Sequence, residues 1–555
     1  MTMRAMVTVT AIALTAGACG GTDPAIIITV NGREALLEVE QLEVTLGNEG
    51  ATQTETFEVG GATLPTTFSI TAPGRTGPIT ISARGIAGGL DVGRGSGVVD
   101  AAAATGELVL EPADFVVNTE FAGGQFVNQD VETNGFQLTA HDGVITFGFR
   151  DDCPVSVCNQ LGRRFGPDGR PLSTDLGAGT NQFRWNQADG AFIAHVGVAS
   201  QTGGSSIALW DTPTGVSCRA MSADGVAAPS VVTLAPDMGA DVVSAVPFPT
   251  GDYGVVWAAD DTTGTQVIRS TVISSTCTTR ISPFTAGIPI SFANRPAIAQ
   301  GPTATMIAWI ENFNAARFRT GTAGGMFSPP GSNGGVLVSA PSPERITFVR
   351  IVPLGNQFGV VYMREDVNFD STILLRRTTS AGIQIGADTV VAALTDFSAP
   401  GVVVRPSDGA IAVGWTQCTN GDGSGCGVYG RLIRPTGVPV GEAFQINTTT
   451  MEDQTDPSIA ALDDAFVVAF TDSSATAPDI DGRAVRGRFI YPSYEAPPGV
   501  IGAACTSTEE CGPDLVCGDD TSGEFWCHAS CVPGPAACPG GGACTTSGAE
   551  SFCRY

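Results

Sequence analysis

Met306-Ile307-Ala308-Trp309, Gly359-Val360-Val361-Tyr362 and Ile411-Ala412-Val413-Gly414-Trp415 share one pattern, a short apolar run closing on a large ring. The pattern recurs as Val144–Phe149, Ala191–His195, Gly254–Trp257 and Phe466–Phe470. Its end positions, Phe149, His195, Trp257, Trp309, Tyr362, Trp415 and Phe470, lie 46, 62, 52, 53, 53 and 55 residues apart. Seven units near 53 residues fill 116–495. A unit of that length holds four short strands and their turns, the content of one β-propeller blade. Gly162–Pro171 and Gly430–Pro439 match in layout 268 residues apart, close to five such periods. One small sheet cannot bury its apolar face alone, whereas sheets stacked in a ring bury both faces and remove long edges. The ring residues are therefore expected between blades. Asp114–Thr119 is placed to complete the last blade, whose own copy stops early after Arg488. The unit around His195 departs most from the pattern, with unequal spacings on either side.

Outward from the repeats, residues 25–115 carry seven short alternating runs: Ile26–Val30, Leu42–Leu46, Thr56–Val59, Thr67–Ile70, Ile79–Ala83, Gly97–Val99 and Glu107–Leu110. Turn signals such as Asn31-Gly32 and Pro73-Gly74 separate them, which predicts an immunoglobulin-like β-sandwich acting as a spacer or adhesion module. The fold class expected is thus all-β throughout. A Pro-rich linker over 491–499 leads to residues 496–555, where Cys505, Cys511, Cys517, Cys527, Cys531, Cys538, Cys544 and Cys553 crowd together. So short a module needs covalent staples, because its core is too small. Eight cysteines leave 105 connectivities open.

The chain has 555 residues with 28 basic side chains, all arginine, against 55 acidic, for a net charge of −27. That excess argues against nucleic acid and anionic lipid as partners, since both select clustered cations. Residues 1–18 have the layout of an export signal: Arg4, an apolar run from Ala5 to Leu14, then small residues before Cys19. Without Cys19, 14 cysteines remain, an even number suited to a disulfide-bonded exported protein. Cys153 with Cys158 and Cys418 with Cys426 are expected as local pairs. Cys218 and Cys277 occupy near-equivalent places in consecutive units and are expected to pair between blades.

Two resemblances bear on class and location. Gly427-Val428-Tyr429-Gly430-Arg431, Phe444–Thr449, Gln454–Pro457 and Phe466–Phe470 resemble units of bacterial exported propeller repeats, which implies a scaffold and no particular chemistry. Thr15-Ala16-Gly17-Ala18-Cys19 resembles the bacterial lipobox. That likeness implies lipidation of Cys19, a tether over 19–24, and a membrane anchorage at the outer membrane of the cell envelope. Ordinary signal cleavage with a leftover thiol is the alternative. The C-terminal cysteine spacing resembles small growth-factor-like knots.

Chemistry is sparse. The chain has three histidines, His141, His195 and His528, and none of the nucleophile, zinc or phosphate-loop motifs. Asp366, Asn368 and Asp370 in one loop, and Asn420, Asp422 and Ser424 in another, alternate oxygen donors and are the candidate Ca²⁺ ligands. The competing reading is solvated hairpin turns. No cofactor is required. Arg163, Arg269, Arg376, Arg431 and Arg483 recur 12–16 residues after the ring positions. They either grip an acidic ligand or pair with acids such as Asp151, Asp260 and Asp472, and the second is favoured. The function expected is a non-catalytic surface lipoprotein, a binding or adhesion scaffold for a protein or glycan. The alternatives are a glycan hydrolase built on a propeller and a structural envelope component. Carboxylates gathered at one channel mouth favour the hydrolase. A mouth without them favours binding.

Overall fold

The computed structural model describes residues 25–491 apart from loop stretches, the longer being 127–137, 152–158, 174–181, 187–195 and 328–334. Beyond 491 it describes Cys505 and four strands. Residues 1–24, with Cys19, lie outside the described residues, as do Cys153, Cys158, Cys511, Cys531, Cys538 and Asn420. All described regular structure is β, and no helix is long and apolar enough to cross a membrane. The chain divides into two compact units, the first built on residues 1–115 and the second on the remainder.

The first unit has seven strands: β1 (Ala25–Gly32), β2 (Gln41–Asn48), β3 (Ala51–Glu58), β4 (Thr66–Thr71), β5 (Pro78–Ala87), β6 (Leu90–Asp100) and β7 (Thr105–Pro112). Each matches one run read from the sequence. They form one hydrogen-bonded path in the order β3-β2-β5-β6-β7-β1-β4. The β6–β7 ladder within it is only two pairs long, Gly93↔Pro112 and Arg94↔Glu111. Ile26, Ile28 and Val30 from β1 share one core with Leu42 and Val44 from β2 and Ile79, Ile81 and Ala83 from β5. The sheet has therefore folded its two halves onto a common core, with β1 and β7 parallel. Two separate sheets of immunoglobulin type are not seen.

The second unit opens with β8 (Phe115–Val116) and β9 (Gln125–Phe126), then builds seven sheets. Blade 1 is β10 (Leu138–His141), β11 (Val144–Asp151), β12 (Gln160–Phe165) and β13 (Gln182–Arg184), with β9 against β11. Blade 2 is β14 (Val196–Ser200), β15 (Ser206–Thr212), β16 (Gly215–Met221) and β17 (Val232–Ala235). Blade 3 is β18 (Asp241–Pro247), β19 (Asp252–Asp260), β20 (Gln266–Ser274) and β21 (Thr279–Gly287). Blade 4 is β22 (Ala293–Gln300), β23 (Ala304–Glu311), β24 (Ala315–Thr322) and β25 (Gly335–Ser339). Blade 5 is β26 (Arg345–Leu354), β27 (Gln357–Glu365), β28 (Ser371–Thr379) and β29 (Gln384–Leu394). Blade 6 is β30 (Gly401–Val404), β31 (Ile411–Gln417), β32 (Gly427–Ile433) and β33 (Pro439–Gln445). Blade 7 is β34 (Gln454–Ala461), β35 (Phe466–Asp472) and β36 (Ala484–Ile490), with β8 as its fourth strand.

The first strands of successive blades touch in turn from β10 to β34, and β34 touches β10, so the ring is closed. Closure uses the segment expected for it. Val117 N–H donates to Val485 O (2.7 Å), and the Asn118 side chain accepts from Val485 N–H. Gln125 N–H donates to Arg483 O while β9 pairs with β11 of blade 1, so one short segment holds both sides of the seam.

Second strands are apolar in continuous runs because blades cover both of their faces. Trp257, Trp309, Trp415, Phe149, Tyr362 and Phe470 are all buried on these strands. Trp309 packs so closely on blade 3 that a Cβ on Gly287 would come within 2.7 Å of its ring. His195 lies outside the described residues. The ring position of blade 2 is instead the buried Trp210 on β15, which makes the spacings 61 and 47.

The arginines are where the sequence reading needs correcting. Arg163, Arg219, Arg319, Arg376 and Arg431 form the equivalent set. Each lies opposite the residue two before its ring position: Phe147, Ala208, Ile307, Val360 and Val413. Each reaches the outermost strand of the preceding blade or the residue just beyond it. Nη1 donates to Val117 O (2.6 Å), Trp185 O (3.1 Å), Ala286 O (2.9 Å), Leu337 O (2.6 Å) and Val391 O (3.3 Å), in that order. Their acceptors are thus carbonyls between blades. Arg376 adds an acid, its guanidinium forking onto Asp388. Arg269 donates within its own blade to Thr285, and in blade 3 the equivalent place holds Thr271.

Cys218 of blade 2 is bonded to Cys277 of blade 3, as expected between consecutive units, with Cα atoms 5.9 Å apart. The covalent link falls at the junction that lacks the arginine. Between blades 6 and 7 a buried chain runs from Asn447 to Gln454 to Asp472, which receives Arg486. Cys418 is bonded to Cys426 and Cys505 to Cys517. The C-terminal strands form two hairpins, β37 (Leu515–Asp519) with β38 (Phe525–Ala529), and β39 (Ala543–Ser547) with β40 (Glu550–Arg554). Cys517 faces Cys527 across the first in register, and Cys544 faces Cys553 across the second.

Candidate functional site

The turns joining the first and second strands of each blade gather at one end of the propeller channel. There they enclose a cavity of about 620 Å³ lined from six of the seven blades. Pro247, Pro249, Pro302, Pro353 and Pro406 form much of its wall, with Phe248 behind them. Polar groups enter as His141, Gln201, Thr202, Gln300 and Arg405. No Asp or Glu lines it among the described residues. The prolines supply rigid apolar faces with φ fixed, so the wall is preorganised.

Hydrogen bonds between turns hold this mouth open. Asp142, at the tip of the blade 1 turn, accepts from Gly203 N–H of the blade 2 turn. That bond, aided by nearby His141, holds the Asp142 carboxyl below the usual carboxylate range. Arg405 is buried and forks onto Asp408 (3.1 and 2.7 Å) while donating to Asp464 O of blade 7. Ser407 Oγ donates to Asp463 O (2.6 Å). Tyr253 OH donates to Ser205 O, and burial pushes its phenol pKa up.

The candidate calcium loops lie elsewhere and do not converge on one another. Asp366 Oδ1 accepts from the backbone N–H of Asn368 (2.7 Å) and of Asp370 (3.1 Å), which closes the β27–β28 turn. A cation at Asp366 would have to displace those donors. Asp422 Oδ2 accepts from Asn447 Nδ2 (2.6 Å), and Ser424 Oγ accepts from Glu452 N–H. Among the described residues, no group of three or more His, Cys, Asp or Glu is arranged to hold a metal. Neither loop reaches the channel mouth. The mouth itself had escaped sequence reading because its residues are single positions from turns spread over some 270 residues. The recurring Pro at strand ends, as in Pro247, Pro302, Pro353 and Pro406, was the available signal.

No family model matches the sequence, and no curated protein does. Solved structures resemble it at low identity. A Dyadobacter fermentans protein of unknown function is 9% identical with a TM-score of 0.36, covering 69% of this chain and all of that one. A Penicillium chrysogenum α-L-arabinanase complexed with arabinobiose is 12% identical, TM-score 0.36, covering 53% and 92%. Prolyl oligopeptidase B from Galerina marginata is 11% identical, TM-score 0.36, and the match covers 71% of this chain but only 53% of that one. Likeness at this level carries no argument about activity.

Proposed function

We propose that this chain is a non-catalytic binding scaffold of the cell surface, with the channel mouth as its ligand site. The observation that carries this is the mouth's lining: a proline-walled cavity with amide, hydroxyl and imidazole groups and no carboxylate pair. A retaining or inverting glycosidase needs two carboxyl groups roughly 5–10 Å apart across the scissile bond, and nothing in the lining favours that rival. The size fits a side chain or short segment of a larger ligand, since pockets of about 300–1,000 Å³ take small ligands whole. Blocking is the test. Full-length protein and Thr202→Trp, which fills the mouth from an exposed turn position, are compared for capture of glycans and envelope proteins. Loss of capture with unchanged melting supports the mouth as the site, and equal capture by both sinks it.

Anchorage is a separate part of the proposal. Lipidation of Cys19 would place the scaffold on the outer membrane. Labelled fatty acid should then enter the wild type and not Cys19→Ser, which should turn soluble. Equal membrane retention of the two would remove the lipoprotein reading without touching the binding one.

A further inference from the structure

The groups at the mouth can be sorted into donors and acceptors, and the donors are spent. Arg405 gives its guanidinium to Asp408 and to the carbonyl of Asp464. Gln300 Nε2 is turned back onto the carbonyls of Gly301 and Ala304, and Gln201 Nε2 onto Ser205 Oγ. The turn N–H groups of Gly251, Gly301 and Gly409 close their own turns. Five prolines line the wall, and proline has a carbonyl but no N–H to offer.

What remains is accepting capacity. Gln201 Oε1, tucked against Gly251, receives no hydrogen bond within the protein. The inter-strand turns around the mouth carry four aspartates, Asp142, Asp408, Asp463 and Asp464, against one arginine, Arg405, which is neutralised. Asp463 and Asp464 are exposed, and only their backbone carbonyls are engaged. Beyond the rim, a net charge of −27 draws cations from a distance.

We propose that the mouth takes a cationic, donor-rich ligand: a lysine- or arginine-bearing segment of a partner protein. The aliphatic stem lies along the proline wall and the charged head meets the carbonyl and carboxylate oxygens, the division of labour that long basic side chains use at apolar surfaces. A neutral sugar needs donors as well as acceptors from its site, and an acidic glycan needs cations; the mouth has neither to spare. This inference rests on the mouth being the ligand site, and it adds the ligand's charge.

The test uses the full chain with labelled hexalysine, hexaglutamate and maltohexaose in fluorescence anisotropy. Hexalysine should bind at one site, weakening at least tenfold between 50 and 500 mM salt as screening sets in. Combined Asp142→Asn, Asp463→Asn and Asp464→Asn should weaken it at least fivefold, and Thr202→Trp should abolish one-site binding. Asp366→Asn with Asp370→Asn, at the other end of β27, should leave it unchanged. Equal losses in the mouth and control variants would mean diffuse attraction to an acidic surface and overturn the inference. So would failure of every probe. Maltohexaose or hexaglutamate binding that Thr202→Trp removes would overturn the charge assignment while leaving the mouth as the site.

Discussion

Phe369 stands where a glycine is expected. Eight hairpin turns among the described residues close with the same two hydrogen bonds, from the first to the fifth residue and from the fourth back to the first. The fourth residue has positive φ in every case. It is Gly204, Gly225, Gly251, Gly264, Gly382 and Gly437 in six, because a Cβ is disfavoured in the left-handed region. Cys277 is one exception, held there by its disulfide. Phe369, at φ 68° and 65% exposed, is the other, and no covalent bond holds it. Phe369→Gly should therefore raise stability by roughly 0.5–1 kcal/mol, the left-handed relief less the extra chain entropy of glycine. A chemical denaturation midpoint that falls instead would show the ring is supported by its surroundings. A second residue-scale effect concerns pH. Burial raises the phenol pKa values of Tyr253 and Tyr362 above 10.0, and for Tyr362 the neighbouring Asp388 adds to the rise. A raised phenol means that the folded state keeps protons the unfolded chain gives up. Their contribution is complete below pH 10 and is lost as pH climbs beyond it. The melting temperature should fall between pH 9 and 11, and fall less in Tyr362→Phe. Legibility differed sharply at this scale. The ring positions could be read because burial on both faces forces continuous apolar runs. Trp210 was missed because Ala191–His195 has the same apolar look, while Ile207-Ala208-Leu209-Trp210 carries the true one.

At the scale of the element, the third strand of each blade decides how it is fastened to its neighbour. Five junctions use an arginine laid across to a carbonyl, one uses a buried Asn–Gln–Asp–Arg chain, and one uses Cys218–Cys277. A hydrogen bond from a charged donor contributes about 1.5–3 kcal/mol. A disulfide spanning 59 residues contributes up to about 4 kcal/mol in the chain-entropy account. Thr271, short and bonded back to Ile281 within its own blade, cannot cross the gap, so the covalent link substitutes for the missing clasp. Cys218→Ser with Cys277→Ser should cost several kcal/mol and raise hydrogen exchange first in β17 and β21, on either side of that junction. Arg319→Met should raise it in β21 and β25 instead. Uniform acceleration around the ring in both variants would mean the junctions do not open independently. The pairing was legible from near-equal offsets after the ring positions. The arginine set was only half legible: offset from the ring found Arg163, Arg376 and Arg431, whereas cross-strand register, which no sequence states, was needed to find Arg219 and Arg319.

For the molecule as a whole, closure is the step that turns seven sheets into one core. An open stack exposes the apolar faces of its first and last blades, so the free energy of the seam is shared by every other junction. That seam is sealed by few groups. Val117, Asn118 and Gln125 join blade 7, and Arg163 of blade 1 holds Val117 in place. Asn118 is fully buried, accepting from Val485 N–H and donating to the Gln125 side chain. Asn118→Ala would orphan a buried backbone N–H and an amide acceptor, each costing about 1–3 kcal/mol. A closed ring loses that stability as a unit: the single melting transition should shift down while staying sharp, with exchange rising in blades 1 and 7 together. Asn118→Asp keeps the acceptor and loses the donor, so its shift should be smaller if the Val485 bond carries more of the closure. A melt that splits into two transitions, or exchange confined to blade 7, would show that the blades stack as a linear array with a weak end and that β8 merely decorates the last of them.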